Sequence, residues 1–179
     1  MRKLISVRGL FTALMAATLV ACATPPTHIH TTSNKDPQYT GKLQRVVLVT
    51  SPTVRPGFRS SWVVLAEKLR SRGVVVDLVA PDPLELDKGK ALRDAVVKIS
   101  ASHVVTLQST RSSYSTSSGG FGARSAATED YESAVLDTAN RKSVWRASTH
   151  FGYSRFIEGE REERLSASIV EKLQADGLL

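Results

Sequence analysis

The chain has a single cysteine, Cys22, among its 179 residues. It can therefore form no internal disulfide, and its folded part must be held by its core alone. Histidine is scarce too: there are four, and two of them, His28 and His30, lie near the start. Hydrolytic chemistry needs a nucleophile, a base and an orienting acid. Serines are plentiful, but there is no Gly-x-Ser-x-Gly turn to present one. The glycine-rich stretch "SSGGFGARS" (117–125) has no Gly-Lys-Ser/Thr, and it follows the third strand signal rather than the first, so it matches neither phosphate-loop pattern. The apolar stretch Gly9–Ala21 falls short of the roughly 20 residues that span a bilayer.

What is present at the N-terminus is informative. Arg2, Lys3 and Arg8 make a cationic start with no acid through Ala21, and an uncharged apolar segment follows. That is the layout of an export signal over residues 1–21, not of a core helix. Leu19-Val20-Ala21-Cys22 then resembles the lipobox of bacterial lipoproteins. The resemblance implies cleavage between Ala21 and Cys22, a diacylglycerol on the Cys22 sulfur and an acyl chain on its new amino group. Several chains are what stable anchoring needs, at about 0.8 kcal/mol per buried CH₂. Ala23 stands where an aspartate would retain such a lipoprotein in the inner membrane, so the resemblance implies the outer membrane, facing the periplasm.

Residues 22–179 would then be the mature chain. Loss of three basic residues and no acids lowers the formal charge from +7 to +4. That balance suits anionic headgroups better than nucleic acid, for which no partner role is expected. Residues 22–43, rich in Pro, Thr and Ser, read as a lipidated cysteine and flexible tether, with one domain over 44–179. His28 and His30 in such a segment make a poor metal site, and neither metal nor cofactor is expected.

From residue 44 the patterns alternate. "QRVVLVTS" (44–51), "VVVDLVA" (74–80) and "HVVTLQS" (103–109) are short β-branched runs that read as buried strands. Between them, Phe58, Trp62, Leu65, Ala66 and Leu69 fall on one helical face, as do Leu92, Ala95, Val96 and Ile99 in a second helix that Asp87 would cap. The Ser- and Gly-rich segment 110–130 has no periodicity and reads as a long loop. "YESAVLDT" and "KSVWRASTHFGY" flank "ANR" as a hairpin, with Trp145, Ala147, Thr149 and Phe151 on one face. Residues 157–179 read as a final helix with a Glu160–Arg164 pair. The predicted fold is α/β: a mixed-sheet sandwich of about five strands, ordered β-α-β-α-β, long loop, β-β-α.

This order, and the hairpin "AVLDTANRKSVWRAS", resemble a broad group of Gram-negative envelope lipoproteins with domains similar to the N-terminal domain of TolB and to the penicillin-binding-protein activator LpoB. The resemblance implies a non-enzymatic adaptor or assembly factor for an envelope complex, with no catalytic residue. Within 110–130, Arg111, Tyr114, Phe121 and Arg124 are the side chains suited to anchoring on a protein partner. His103 and His150 are candidate bases, weighed against plain polar residues on an exposed strand face or edge. Trp62 and Trp145 could line a pocket, but their positions favour the core. The alternative function is a lipid- or small-ligand-binding lipoprotein with a cavity between sheet and helices.

Overall fold

The computed structural model describes residues 28–50, 58–80, 84, 87, 89–119, 122–153 and 160–179. The elements are β1 (His28–Lys35), β2 (Arg45–Thr50), α1 (Phe58–Arg70), β3 (Val75–Val79), α2 (Lys90–Ile99), β4 (His103–Gly119), β5 (Gly122–Asp137), β6 (Lys142–Tyr153) and α3 (Glu160–Ala175). They build one six-stranded mixed sheet in the order β1-β6-β5-β4-β2-β3. β2 pairs parallel with β3 and β4, and the other neighbours are antiparallel. The α/β class expected from the sequence is what forms.

Alternation along each strand sorts the residues into two faces. On the first face Val46, Leu48, Val105, Leu107, Tyr131, Val135, Trp145, Ala147 and Phe151 are buried against α1 and α3, which supply Trp62, Leu65, Leu69, Leu165, Ile169 and Leu173. Both tryptophans belong to this core. On the second face α2 covers only the parallel end, where Ala95 and Ala101 pack with Val47 and Val79. Among the described residues no helix covers the rest of that face, formed by β1, β6, β5 and the middle of β4.

The helix ends follow local chemistry. Gly73 takes φ +82° just past α1, a conformation that an L side chain resists. Asp87 does not cap α2. The N-cap is Gly89, and the Asp87 carboxylate accepts the Gly89 N–H at 3.3 Å from outside the helix.

Two sequence expectations need correction. The tether does not run to residue 43: "HIHTTSNK" is an edge strand paired with β6 along its whole length. Its Pro- and Thr-rich surroundings suggest a coil, but Ile29 and Thr31 alternate inward, and Thr31 Oγ1 lies 3.0 Å from Thr149 Oγ1 and 2.6 Å from Ser168 Oγ on α3. Leu43 is buried, and its N–H donates to Leu178 O at 2.8 Å. The long loop is also a strand pair: β4 and β5 continue as a hairpin whose register runs from His103–Asp137 to Gly119–Gly122, with one bulge between Ser109 and Arg111. Serine and threonine have no hydrophobic periodicity to report, yet their backbones satisfy a ladder.

Candidate interaction surface

The uncovered face is built from register partners that share a side of the sheet. One row reads His30, His150, Asp130 and Arg111 across β1, β6, β5 and β4. The next reads Thr32, Ser148, Glu132 and Gln108, and the third Asn34, Arg146, Ala134 and Thr106. The second and third rows line a depression of about 480 Å³. Its wall carries a carboxylate, a guanidinium, two amides and three hydroxyls, so it offers hydrogen bonds in place of an apolar seat. It lies on the side away from α1 and α3, not between sheet and helices where the ligand alternative would put a cavity.

His150 is exposed, as a polar strand-face residue should be, and its Nδ1 is 2.7 Å from Asp130 Oδ1. His103 is different. It is 3% exposed and sits on the core face, so it is not a surface or edge residue. The Tyr39 hydroxyl is hydrogen-bonded to its Nε2, its Nδ1 lies 2.9 Å from Ser102 Oγ, and Ser102 Oγ donates to Arg45 O at 3.1 Å. The donors run in one direction only if His103 is neutral with its proton on Nδ1. Burial lowers the His103 pKa, partly countered by the nearby Asp137 carboxylate, and burial with the same carboxylate raises that of Tyr39. The chain of hydrogen bonds holds residues 36–43 to the sheet and leaves His103 no free nitrogen for proton transfer.

Asp137 ends β5 as the sequence motif suggests. Its carboxylate accepts Ala139 N–H at 2.8 Å and Asn140 Nδ2 at 3.0 Å, and Arg141 completes the turn at φ +54°. Burial opposes ionisation of Asp137, but these hydrogen bonds hold its pKa below the ordinary carboxylate range. Behind β6, Trp145 Nε1 donates to Asp176 Oδ2 at 2.6 Å, and Lys35 Nζ donates to Asp176 O at 2.9 Å. These contacts pin β1 and β6 to the end of α3, where a cation also complements the helix dipole. No local pattern signals them, since the partners are more than 30 positions apart.

Of the residues singled out for partner contact, Arg111 and Tyr114 lie exposed on β4, Tyr114 being 61% accessible. The Arg124 backbone lies on β5 opposite Ser117. The Arg124 side chain, Phe121, and the cleavage and lipidation residues Ala21 and Cys22 lie outside the described residues. Among the described residues no group of three or more His, Cys, Asp or Glu side chains is placed to hold a metal, and no helix is long and apolar enough to cross a membrane.

No protein-family model matches the sequence, and no curated protein matches it. Solved structures do share its fold. The PelC dodecamer from Paraburkholderia phytofirmans is similar at 21% identity and a TM-score of 0.51, over 83% of this chain and 99% of that one. A leucine-to-methionine variant of the same dodecamer gives 20% identity and a TM-score of 0.52, over 84% of this chain and 99% of that one. A weaker likeness, with TM-score 0.44 and 15% identity over 74% of this chain and 99% of the other, extends to the lipoprotein GNA1162 from Neisseria meningitidis. What the chain shares with PelC at this identity is the fold.

Proposed function

We propose that the protein is an outer-membrane lipoprotein, facing the periplasm, that serves as a non-enzymatic adaptor or assembly factor for an envelope complex. The observation that carries this reading is the placement of Cys22, within a lipobox-like sequence, six positions ahead of the first strand of a packed sheet. Six residues span at most about 20 Å, so attached acyl chains would keep the domain beside the bilayer. The broad polar face of the sheet then offers a partner a flat, hydrogen-bonding surface. The dodecameric state of PelC makes self-association part of this reading.

Metabolic labelling with palmitate tests the anchor: the chain should take up label, and Cys22→Ser should abolish both uptake and membrane retention. Equal retention of the unlabelled variant refutes it. In-cell crosslinking from Tyr114, read by mass spectrometry, tests the adaptor. A specific envelope protein should be recovered, and repeated recovery of none counts against the role.

A second reading, a small-ligand-binding lipoprotein, is favoured by the depression between Asn34, Gln108, Glu132 and Arg146. Its lining suits a polar, hydroxyl-rich ligand better than a lipid tail. A bound small molecule released from the native protein, and lost in Glu132→Ala, would support it. A ligand-free native protein would end it.

A further inference from the structure

The two edges of the sheet are built differently. β3 forms one of them, with a strand of five residues. The Val75 N–H donates to Gln44 O at 2.8 Å, so Val75, Asp77 and Val79 turn their main-chain groups to β2, and Val76 and Leu78 turn theirs outward. Side chains already occupy part of that outer row. Arg70 Nη2 donates to Val76 O at 2.9 Å, and Asp77 Oδ1 accepts the Leu78 N–H at 3.1 Å. Lys98 Nζ lies 3.0 Å from Asp77 Oδ2 and adds charge beside the same edge. Short length, charge and occupied main-chain groups are what keep an edge strand from recruiting another chain.

β1, at the other edge, lacks this protection. It is eight residues long, pairs with β6 without a bulge and contains no proline. The Asp36 N–H donates to Val144 O at 2.9 Å in the same register. The even-numbered residues of β1 therefore bond to β6, and the main-chain groups of Ile29, Thr31, Ser33 and Lys35 face outward. Among the described residues no main-chain hydrogen bond reaches them. α3 stands over the face of the β1–β6 pair rather than beside this edge: Ser168 Oγ is 2.6 Å from a Thr31 Oγ1 that also meets Thr149. The only lysine in the strand, Lys35, has its ammonium drawn to Asp176 O at 2.9 Å.

We propose that the β1 edge pairs antiparallel with β1 of a second copy, about a two-fold axis at Thr32, so that one continuous sheet crosses the two chains. One register uses all four outward residues: Ile29 opposite Lys35 of the second copy, and Thr31 opposite its Ser33. Each such pair exchanges two main-chain bonds, about eight in all. A two-residue shift one way sets Ile29 opposite Pro37, which has no N–H, and a shift the other way carries Lys35 beyond the end of the facing strand. In the full register His28 meets Asp36, His30 meets Asn34, and Thr32 meets its own copy. No like charges are opposed, and an exposed carboxylate faces the imidazole at each end. Lys35, its head held by Asp176, lays its methylene stem beside Ile29. This deepens the self-association in the reading above and rests on it, but it is separable from the lipid anchor.

At the axis Thr32 faces its copy as a non-hydrogen-bonded pair, with Cα atoms about 4.5 Å apart, a separation that a disulfide spans. Mild oxidation of Thr32→Cys in the full chain should therefore convert most of it to a bridged dimer. Two controls should not bridge: Ser148→Cys, exposed on the same face one strand in, and the parent chain, whose only cysteine is Cys22. In detergent at low micromolar concentration the parent should sediment as a dimer. Thr32→Lys, which sets two ammonium groups face to face at an exposed position, should sediment as a folded monomer. Bridging at 32 no greater than in the controls overturns the pairing, and so does a monomeric parent. A dimer or larger ring that survives Thr32→Lys also overturns it, because the copies then meet elsewhere. Palmitate uptake is read on the same chains, and its loss refutes the anchor without touching the pairing.

Discussion

The phenol of Tyr39 and the imidazole of His103, 64 positions apart, meet in a hydrogen bond with their ring planes at 88° and centroids 5.8 Å apart. Tyr39 lies in a segment that reads as a spacer, and His103 opens a strand. Their contact makes the first a clasp on the second. Loss of the phenol in Tyr39→Phe leaves the buried Nε2 without its donor, at a cost of about 1–3 kcal/mol. Urea unfolding should show that loss with little change in slope.

Acid should act on the same pair. The folded pKa of His103 is depressed by burial, below its ordinary value of 6.5. The unfolded state then binds the proton more readily, so the neutral ring's contribution to stability is complete above pH 6.5 and is lost as pH falls below it. Melting temperature should fall between about pH 7 and pH 5, and the fall should be shallower in His103→Asn. An identical slope in the variant would show that other groups set the acid limit.

Trp145→Phe keeps the ring in the core and deletes the N–H that reaches Asp176. A stability loss of about 1–2 kcal/mol follows from one buried, charge-assisted hydrogen bond. Asp176→Asn should lose less, since its side-chain oxygen still accepts. The pair of melting curves distinguishes the bond from simple packing.

Helix positions should respond according to the face that they serve. Leu165 is fully buried under the sheet, and Leu165→Ala should lose about 2–5 kcal/mol. Val97 on α2 is 77% exposed, so Val97→Ser should stay within about 0.5 kcal/mol. Chemical denaturation of the two variants side by side checks the contrast.

Removal of residues 1–43 tests the corrected boundary. A true spacer could be cut at residue 43 without effect. Here the cut removes β1, uncovers the β6 edge and strips Thr31 and Lys35 from α3. Such an edge invites intermolecular pairing. The shortened chain should aggregate or lose cooperative unfolding, whereas a chain that starts at residue 23 should remain folded.

The elements that the sequence announces are those with hydrophobic rhythm. Val46–Leu48, Trp62–Leu69 and Trp145–Phe151 carry their periods openly, and each burial matches. β1 and the outer halves of β4 and β5 consist mostly of His, Thr, Ser, Ala and Gly, which give no sustained alternation of polarity and do not resist a loop. Their strand character comes from neighbours, and those lie more than 100 positions away for β1. The polar face has the same origin: Glu132 and Arg146 are ordinary surface residues until the register sets them in adjacent rows. Arg111 stands out by composition, but only its pairing with Asp130 shows that it belongs to the polar face.

Leu43 and Leu178 meet through a main-chain hydrogen bond, and Lys35 reaches Asp176 just before it. The opening residues of the domain are thus closed by residues more than 130 positions further along the chain. Nascent chains generally fold from their N-terminal side as synthesis proceeds, but here the edge strand lacks its helix until α3 has been made. The domain accordingly does not close stepwise from β1 onward, and its first strand is set in place only together with its last helix.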